Sequence, residues 1–291
     1  MLAVLVGISS ALVYGSADFL GGIASKRIPA IRVTALAGAV GLVVLLLAYP
    51  LIGGEISREA LLLGALCGVS GAIAISLLYA CLAIGPMSIL SPLTAIVSAI
   101  VPMTFGLIQG EKLGLIGYVA LGIALVAVVL VGFVPEKGAV RPTLRGILMA
   151  IGSGAMIGVF LVIIDQTPAD SGIVPLIANR AMSSAILFAA VGVSALVAIR
   201  KSRATGNPVV SAGWRAGISL AVLCGVIDAV ANAGLLLGLR LGELTIISVL
   251  TALYPAGTII LAAIVLRERI APVQIVGLVL AITAAAMLAL A

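Results

Sequence analysis

Ser91-Pro92-Leu93-Thr94-Ala95 occurs again 157 residues later as Ser248-Val249-Leu250-Thr251-Ala252. The same shift, without a gap, aligns Cys67-Gly68-Val69 with Cys224-Gly225-Val226. Over the 74 pairs from 61/218 to 134/291, 21 residues are identical, and the polar and Cys matches among them are hard to obtain by chance in so apolar a chain. We therefore interpret the chain as two copies of one block.

The composition places both copies in a lipid bilayer. The chain is 63% hydrophobic and 9% charged, with a mean hydropathy of +1.39, whereas a soluble domain has roughly 25% charged residues. The net charge of +6 could suggest nucleic acid. However, the basic residues lie at the ends of apolar runs and form no patch interleaved with aromatic residues, so we predict a lipid bilayer and no nucleic acid as partner.

The apolar runs predict an all-α membrane protein with ten transmembrane helices, because lipid cannot satisfy the open edge of a sheet. The predicted spans are 2–24, 31–52, 60–84, 88–109, 113–134, 144–165, 173–199, 214–239, 245–266 and 270–290. The predicted domains are a five-helix repeat at 1–134, a linker at 135–143 and a second five-helix repeat at 144–291. Because each repeat has an odd number of spans, the two repeats are inverted, an architecture of secondary transporters.

The basic residues also predict the orientation. Loops after odd-numbered spans hold twelve Lys and Arg residues, and the opposite side holds three. Basic loops are retained in the cytoplasm. We therefore predict a multi-pass protein of the cell (inner) membrane with both termini outside.

Carboxylates inside predicted spans are the first candidates for a binding site. An ionised Asp at a helix centre costs about 2.5–3.5 kcal/mol on insertion scales, so it needs a partner, a water-filled cavity or a proton. Asp228 lies near the middle of the eighth span, and Asn232 follows at i+4 on the same face. Their counterparts in the first repeat are Gly71 and Ile75. This asymmetry favours a substrate or proton site, and an Asp that only holds helices together is the alternative.

Other spans supply further candidates. Asp18 lies about two turns before Lys26 and either faces the cavity or snorkels to the interface. Asn179 and Arg180 lie within the seventh span, where the Arg either neutralises an Asp, holds a substrate carboxylate or has a structural or snorkelling role. Hydroxyl candidates lie in spans four and nine, which Pro92, Pro102 and Pro255 are expected to bend. They are Ser91, Thr94, Ser98, Thr251 and Tyr254. The alternative for each is a bond to its own helix backbone.

Several short motifs follow one another in a fixed order. They are Tyr14-Gly15-Ser16, an Arg near the start of the second helix of each half (Arg32 and Arg180), the turns at Gly85 and Gly242, and Glu111-Lys112-Leu113 with Glu268-Arg269-Ile270. In this order they resemble the EamA family of the drug/metabolite transporter superfamily, although that family often has Trp at the position of Tyr14. The resemblance implies a ten-helix inverted-repeat exporter or permease with a central cavity, commonly proton-driven or facilitative. We add Tyr14 to the candidates for that cavity.

Motifs that are missing from the sequence narrow the function. There is no GxxxxGK[ST], HExxH or GxSxG motif, so neither ATP hydrolysis nor hydrolase chemistry is predicted. The chain has no His, and its three Cys residues lie in apolar runs without a CxxC pattern, so we predict no metal and no cofactor.

We predict a protein that is not an enzyme, a secondary transporter of small metabolites, amino acids or related solutes that works by alternating access, with proton coupling left open. Two candidate acids against one Arg favour cationic or zwitterionic solutes. A non-transporting membrane subunit or a passive pore is one alternative. A membrane enzyme acting on lipid-linked substrates is another, but the clustered acids it needs are missing. The oligomeric state is either a monomer or a homodimer.

Overall fold

The computed structural model describes residues 1–84, 87–132, 142–205, 217–267 and 269–290, and every regular element within these ranges is helical. The α-helices are α1 Leu2–Ser25, α2 Ala30–Ile52, α3 Arg58–Ile84, α4 Met87–Ile108, α5 Leu115–Gly132, α6 Leu144–Asp165, α7 Val174–Thr205, α8 Ile218–Leu241, α9 Leu244–Thr251, α10 Pro255–Val265 and α11 Pro272–Leu290. A short 3-10 helix, Ala169–Ser171, precedes α7. Most of the predicted linker and the motif residues Gly85 and Glu268 fall outside the described ranges.

The prediction of an all-α membrane protein is confirmed. Within the described ranges, nine segments are helical, long and apolar enough to cross a bilayer, with α9 and α10 together counting as one. Helix α4 contributes a shorter apolar stretch, Pro92–Ile108. The predicted spans therefore correspond to ten helical crossings, five on each side of the predicted linker.

The ninth span is broken rather than bent. Pro255 has no N–H to donate to the carbonyl of Thr251. The N–H of Tyr254 donates to that carbonyl at 3.0 Å instead, and Leu253 donates to Leu250 at 3.1 Å, which makes a tighter turn between α9 and α10. Helix α4, by contrast, continues through both of its prolines. The break is therefore a property of the second repeat.

Helices of one repeat pack mainly on helices of the other. Helix α1 packs on α8 and α10, and its equivalent α6 packs on α3 and α4. Similarly, α2 packs on α8, α7 packs on α3, and α5 packs on α11. The first contacts thus occur twice with the repeats exchanged, and the contact of α5 with α11 maps onto itself, as a two-fold relation requires. Since each repeat holds five crossings, the axis lies in the membrane plane and the repeats are antiparallel.

The contact between α1 and α10 depends on glycines. A Cβ atom built on Gly15 would collide with the carbonyl oxygen of Tyr254 and would lie 2.6 Å from the backbone nitrogen of Thr258. The hydroxyl of Thr258 donates to the carbonyl of Gly15 at 3.0 Å. In the exchanged contact between α6 and α4, a Cβ on Gly158 would lie 2.6 Å from Cβ of Val101. Both close contacts connect the two repeats.

We expect Gly15→Ala to lower the free energy of unfolding by about 1–3 kcal/mol, because the methyl group meets backbone atoms that cannot rotate away. Thermal unfolding in detergent measures the effect. Gly22→Ala is the matched control in α1, since a Cβ there has no neighbouring atom within 4 Å. Equal melting temperatures for the two variants would contradict the close packing at Gly15.

Candidate binding cavity

A cavity of about 260 Å³ lies between the two repeats, near the middle of the helices. Its polar wall consists of Tyr14, Asp18, Thr34, Ser98, Asn179, Arg180, Ser183, Asp228, Asn232, Ser248, Thr251 and Tyr254. Its larger apolar residues are Ile75, Leu78, Ile157, Phe160, Leu161, Leu187 and Leu235. Both repeats contribute to each set. The cavity is at the small end of the range for ligand pockets, which suits a small solute.

Nine of the eleven residues predicted for the site line this one cavity. They are Tyr14, Asp18, Ser98, Asn179, Arg180, Asp228, Asn232, Thr251 and Tyr254. Their role in binding stays a prediction. The side chain of Ser91 lies outside the described part of the structure.

Thr94 is not among the residues that line the cavity. Its side chain is buried, and its hydroxyl lies 3.0 Å from the carbonyl oxygen of Leu90 and 3.2 Å from that of Ala150. Thr94 therefore lies on the side of α4 that packs on α6, where its hydroxyl bonds to helix backbone. Ser98, one turn further along α4, lines the cavity.

Arg180 and Asp228 form an ion pair across α7 and α8, through Nη2 and Oδ2. Their side chains are 16% and 22% exposed, so the pair belongs to the cavity wall. The side-chain amide of Asn232 donates to the backbone carbonyl of Asp228 at 2.8 Å and lies 3.3 Å from its Oδ1. The Arg therefore neutralises an Asp, which was one of the predicted alternatives, and does not snorkel to the helix end.

Two polar atoms of the cavity wall remain without a partner. Within the described ranges, Arg180 Nε and Thr251 Oγ1 are buried and make no hydrogen bond. A buried polar group without a hydrogen bond costs about 1–3 kcal/mol. A bound solute or water with suitable polar atoms would remove that cost, so these atoms are candidates for contacts with a ligand.

Asp18 differs from Asp228 in its surroundings. Its side chain is exposed and lines the cavity, with Tyr14 one turn earlier on the same face of α1. No ion pair of Asp18 occurs among the described residues. Of the two predicted alternatives for Asp18, the structure has it face the cavity, which then holds one unpaired carboxylate beside one ion pair.

The two-fold relation identifies the counterparts of the ion pair. Gly225 packs against Ala37 of α2, and its equivalent Gly68 packs against Asn179 of α7. Ala37 is therefore the structural equivalent of Asn179. Gly38 follows Ala37 on α2, and Arg180 follows Asn179 on α7. Gly38 is therefore the structural equivalent of Arg180.

Gly38 also lines the cavity, together with Gly71, the counterpart of Asp228. Arg32 and Arg180 both lie near the start of a second helix, but they are not equivalent in three dimensions. The charged pair of the second repeat thus faces a glycine pair in the first.

Sequence reasoning missed several cavity residues. Ser248 is the repeat equivalent of Ser91, so the duplication contained the signal for it. Ser183 lies one turn after Arg180 and could have been found from helical spacing. Thr34 and Phe160 carry no local signal in the sequence. In the part of the chain that the structure describes, no group of three His, Cys, Asp or Glu side chains could hold a metal ion.

The apolar helices and the family match described next together support a multi-pass membrane protein of the transporter type. The model of the EamA-like transporter family matches residues 1–133 and 144–290, and the chain belongs to this family. Membership favours a transporter over an enzyme. A solved crystal structure of a protein is similar, with a TM-score of 0.71 over 100% of this chain and 99% of the other at 16% identity, which supports the fold. No curated protein matches the chain.

Proposed function

We propose that the protein is a secondary transporter that moves a small solute by alternating access of the central cavity. The observation that carries this proposal is the convergence of charged groups from two antiparallel repeats on one cavity near the middle of the helices. In this mechanism the repeats rock about the bound solute and expose it to each side of the membrane in turn. Because the chain has no phosphate-binding loop, a solute or ion gradient supplies the energy.

The charges of the cavity support a solute with an amino group. Asp18 and Asp228 against Arg180 leave one net negative charge when all three are ionised. A cation balances this charge. A zwitterion such as an amino acid places its ammonium group at Asp18 and an acceptor atom near the free Nε of Arg180. Ile75, Leu78 and Phe160 provide an apolar surface for the rest of the molecule.

Proton exchange is the proposed means of coupling. Asp18 and Asp228 are the carboxyl groups inside the cavity. Asp18 is the stronger candidate because a proton and a cationic solute would compete for the same unpaired carboxylate. Asp228 would exchange a proton only when its pair with Arg180 opens.

The proposed site of action is the cell (inner) membrane, with both termini outside and the basic loops in the cytoplasm. The proposed domains remain 1–134 and 144–291, joined by the linker at 135–143. The proposed assembly is a monomer or a homodimer.

The test is transport into proteoliposomes of labelled amino acids and alkylamines under an imposed pH gradient. We expect the wild type to show faster uptake when the same solute is loaded on the opposite side, and Asp18→Asn to lose most pH-driven transport. Asp170→Asn is the matched control, because that side chain is exposed in the loop before α7.

Two outcomes would contradict the proposal. Equal pH-driven transport by Asp18→Asn and the wild type would remove Asp18 from coupling. Flux that does not respond to solute on the opposite side would indicate a passive pore.

A further inference from the structure

Glu111 of the first repeat caps a helix of the second repeat. It lies in the turn after α4, and its carboxylate oxygens Oε1 and Oε2 accept the backbone N–H groups of Leu244 at 2.8 Å and Thr245 at 2.9 Å. These are the first two residues of α9. The first N–H groups of a helix have no partner within the helix, and a carboxylate is well suited to bind them. Each bond is strengthened by the negative charge of the carboxylate.

The residue that would normally cap α9 does not do so. Glu243 stands at the N-cap position without a capping hydrogen bond, and in the described structure its buried Oε2 has no partner. Burial and the neighbouring charge of Glu111 raise the pKa of Glu243. The cap of α9 thus comes from the other repeat.

The contact around Glu111 is tightly packed. A Cβ atom on Gly106 would collide with the Glu111 carboxylate and lie 2.6 Å from the hydroxyl oxygen of Thr245. That hydroxyl donates to the carbonyl of Met103 at 3.3 Å. The N–H of Glu111 in turn donates to the carbonyl of Gly106 at 3.1 Å. The end of α4, the following turn and the start of α9 therefore form one connected unit.

This unit acts on the cavity through α9, a helix of eight residues. Ser248 and Thr251 of α9 line the cavity, and Tyr254 follows in the turn before α10. The turns between α4 and α5 and between α8 and α9 lie on one face of the protein, which we name the turn face. Residues 244–247 separate the lining residue Ser248 from the turn face. A displacement of α9 would both move cavity residues and open a path from the turn face.

We propose that Glu111 is a latch between the repeats, which holds α9 in place while the cavity is closed to the turn face and releases it when that face opens. The inference rests on the alternating access proposed above. Glu111 touches no solute, so it is a positioning residue that acts through α9. The two hydrogen bonds of Glu111 connect the first repeat to the second. The repeats must change their relative orientation in the transport cycle, and these bonds hold α9 in only one of the two orientations of the repeats.

The test measures access to α9 from the turn face. Ser248→Cys places a thiol on a residue that is 0% exposed, and a membrane-impermeant maleimide is applied to right-side-out and inside-out vesicles. Lys112→Cys, at an exposed position beside Glu111, identifies the turn face. The native Cys67, Cys81 and Cys224 are buried and give a low background. We expect Glu111→Ala to speed labelling of Ser248→Cys from the turn face at least about ten-fold, since even one of the two bonds to a charged group contributes that factor.

Further variants keep the test decisive. Glu111→Gln retains one acceptor oxygen and should speed labelling less than Glu111→Ala. If Glu111→Ala does not fold, the labelling rate of Glu111→Gln is the test. Glu55→Gln removes an exposed carboxylate from the loop between α2 and α3 and should leave the rate unchanged. If the Glu111 variants lower the melting temperature without faster labelling of Ser248→Cys, Glu111 is a helix cap in every state and the latch is overturned. Labelling needs no solute, so a failure of the latch is distinct from a failure to detect transport.

Discussion

Arg180→Ala is expected to lower the free energy of unfolding by about 3 kcal/mol, at the lower end of the range for breaking one partner of a buried ion pair. The lower end of this energy range applies because the side chains of Arg180 and Asp228 are both partly exposed to the cavity. The cost arises from Asp228, whose carboxylate would remain in the membrane without its cation. Since the net stability of a protein is on the order of 5–15 kcal/mol, the loss should be large in a thermal unfolding assay in detergent.

A second substitution separates this cause from lost packing. In the double variant Arg180→Ala with Asp228→Asn neither member of the pair leaves a charge behind, so most of the stability should return. Arg145→Ala is a control, because Arg145 is an exposed basic residue in the first turn of α6. If Arg180→Ala proved as stable as the wild type, the ion pair would not contribute to holding α7 against α8.

Asp18→Asn is expected to weaken transport and to leave the stability unchanged or higher, whereas Arg180→Ala lowers the stability. A charge-assisted bond contributes about 1.5–3 kcal/mol, so its loss should weaken binding of an amine roughly ten- to hundred-fold. The same substitution removes an unpaired carboxylate from the membrane, which costs about 2.5–3.5 kcal/mol when ionised. Binding of a labelled alkylamine and the melting temperature are the two measurements.

The combination of effects is what makes the Asp18 prediction specific. A structural Asp would lose stability on replacement, as Arg180→Ala does, whereas a binding group loses affinity alone. Asp170→Asn, outside the membrane spans, should change neither quantity. Unaltered amine binding by Asp18→Asn would exclude Asp18 from the solute site.

The crossings were predictable because lipid restricts the chain to helices, so length and hydropathy define them. Asp228 and Asn232 were predictable for a related reason, since a polar pair on one face of an apolar helix needs a specific environment. Pro255 shows where this reasoning stops. Pro92 and Pro102 have the same chemistry, yet α4 is continuous and the ninth span is broken. Which proline interrupts a helix depends on how the surrounding structure satisfies the freed carbonyl, and in the ninth span the N–H of Tyr254 does so.

Other features could not be predicted because they depend on distant parts of the chain. The side of α4 that carries Thr94 is decided by packing on α6, which helical spacing within α4 does not reveal. Glu111 caps a helix that begins 133 residues later. No residue beside Glu111 in the sequence points to that helix. The match of Arg180 with Gly38, rather than with Arg32, likewise follows from the contacts of two glycines in three dimensions.

The glycines that face the ion pair have a consequence for the ancestry of the chain. An ancestor built from two identical five-helix subunits would carry every mutation on both walls of its cavity. An arginine and an aspartate introduced there would create two ion pairs and leave no open wall. Once both subunits were encoded in one gene, each could diverge separately. The present asymmetry is thus a record of specialisation after gene fusion.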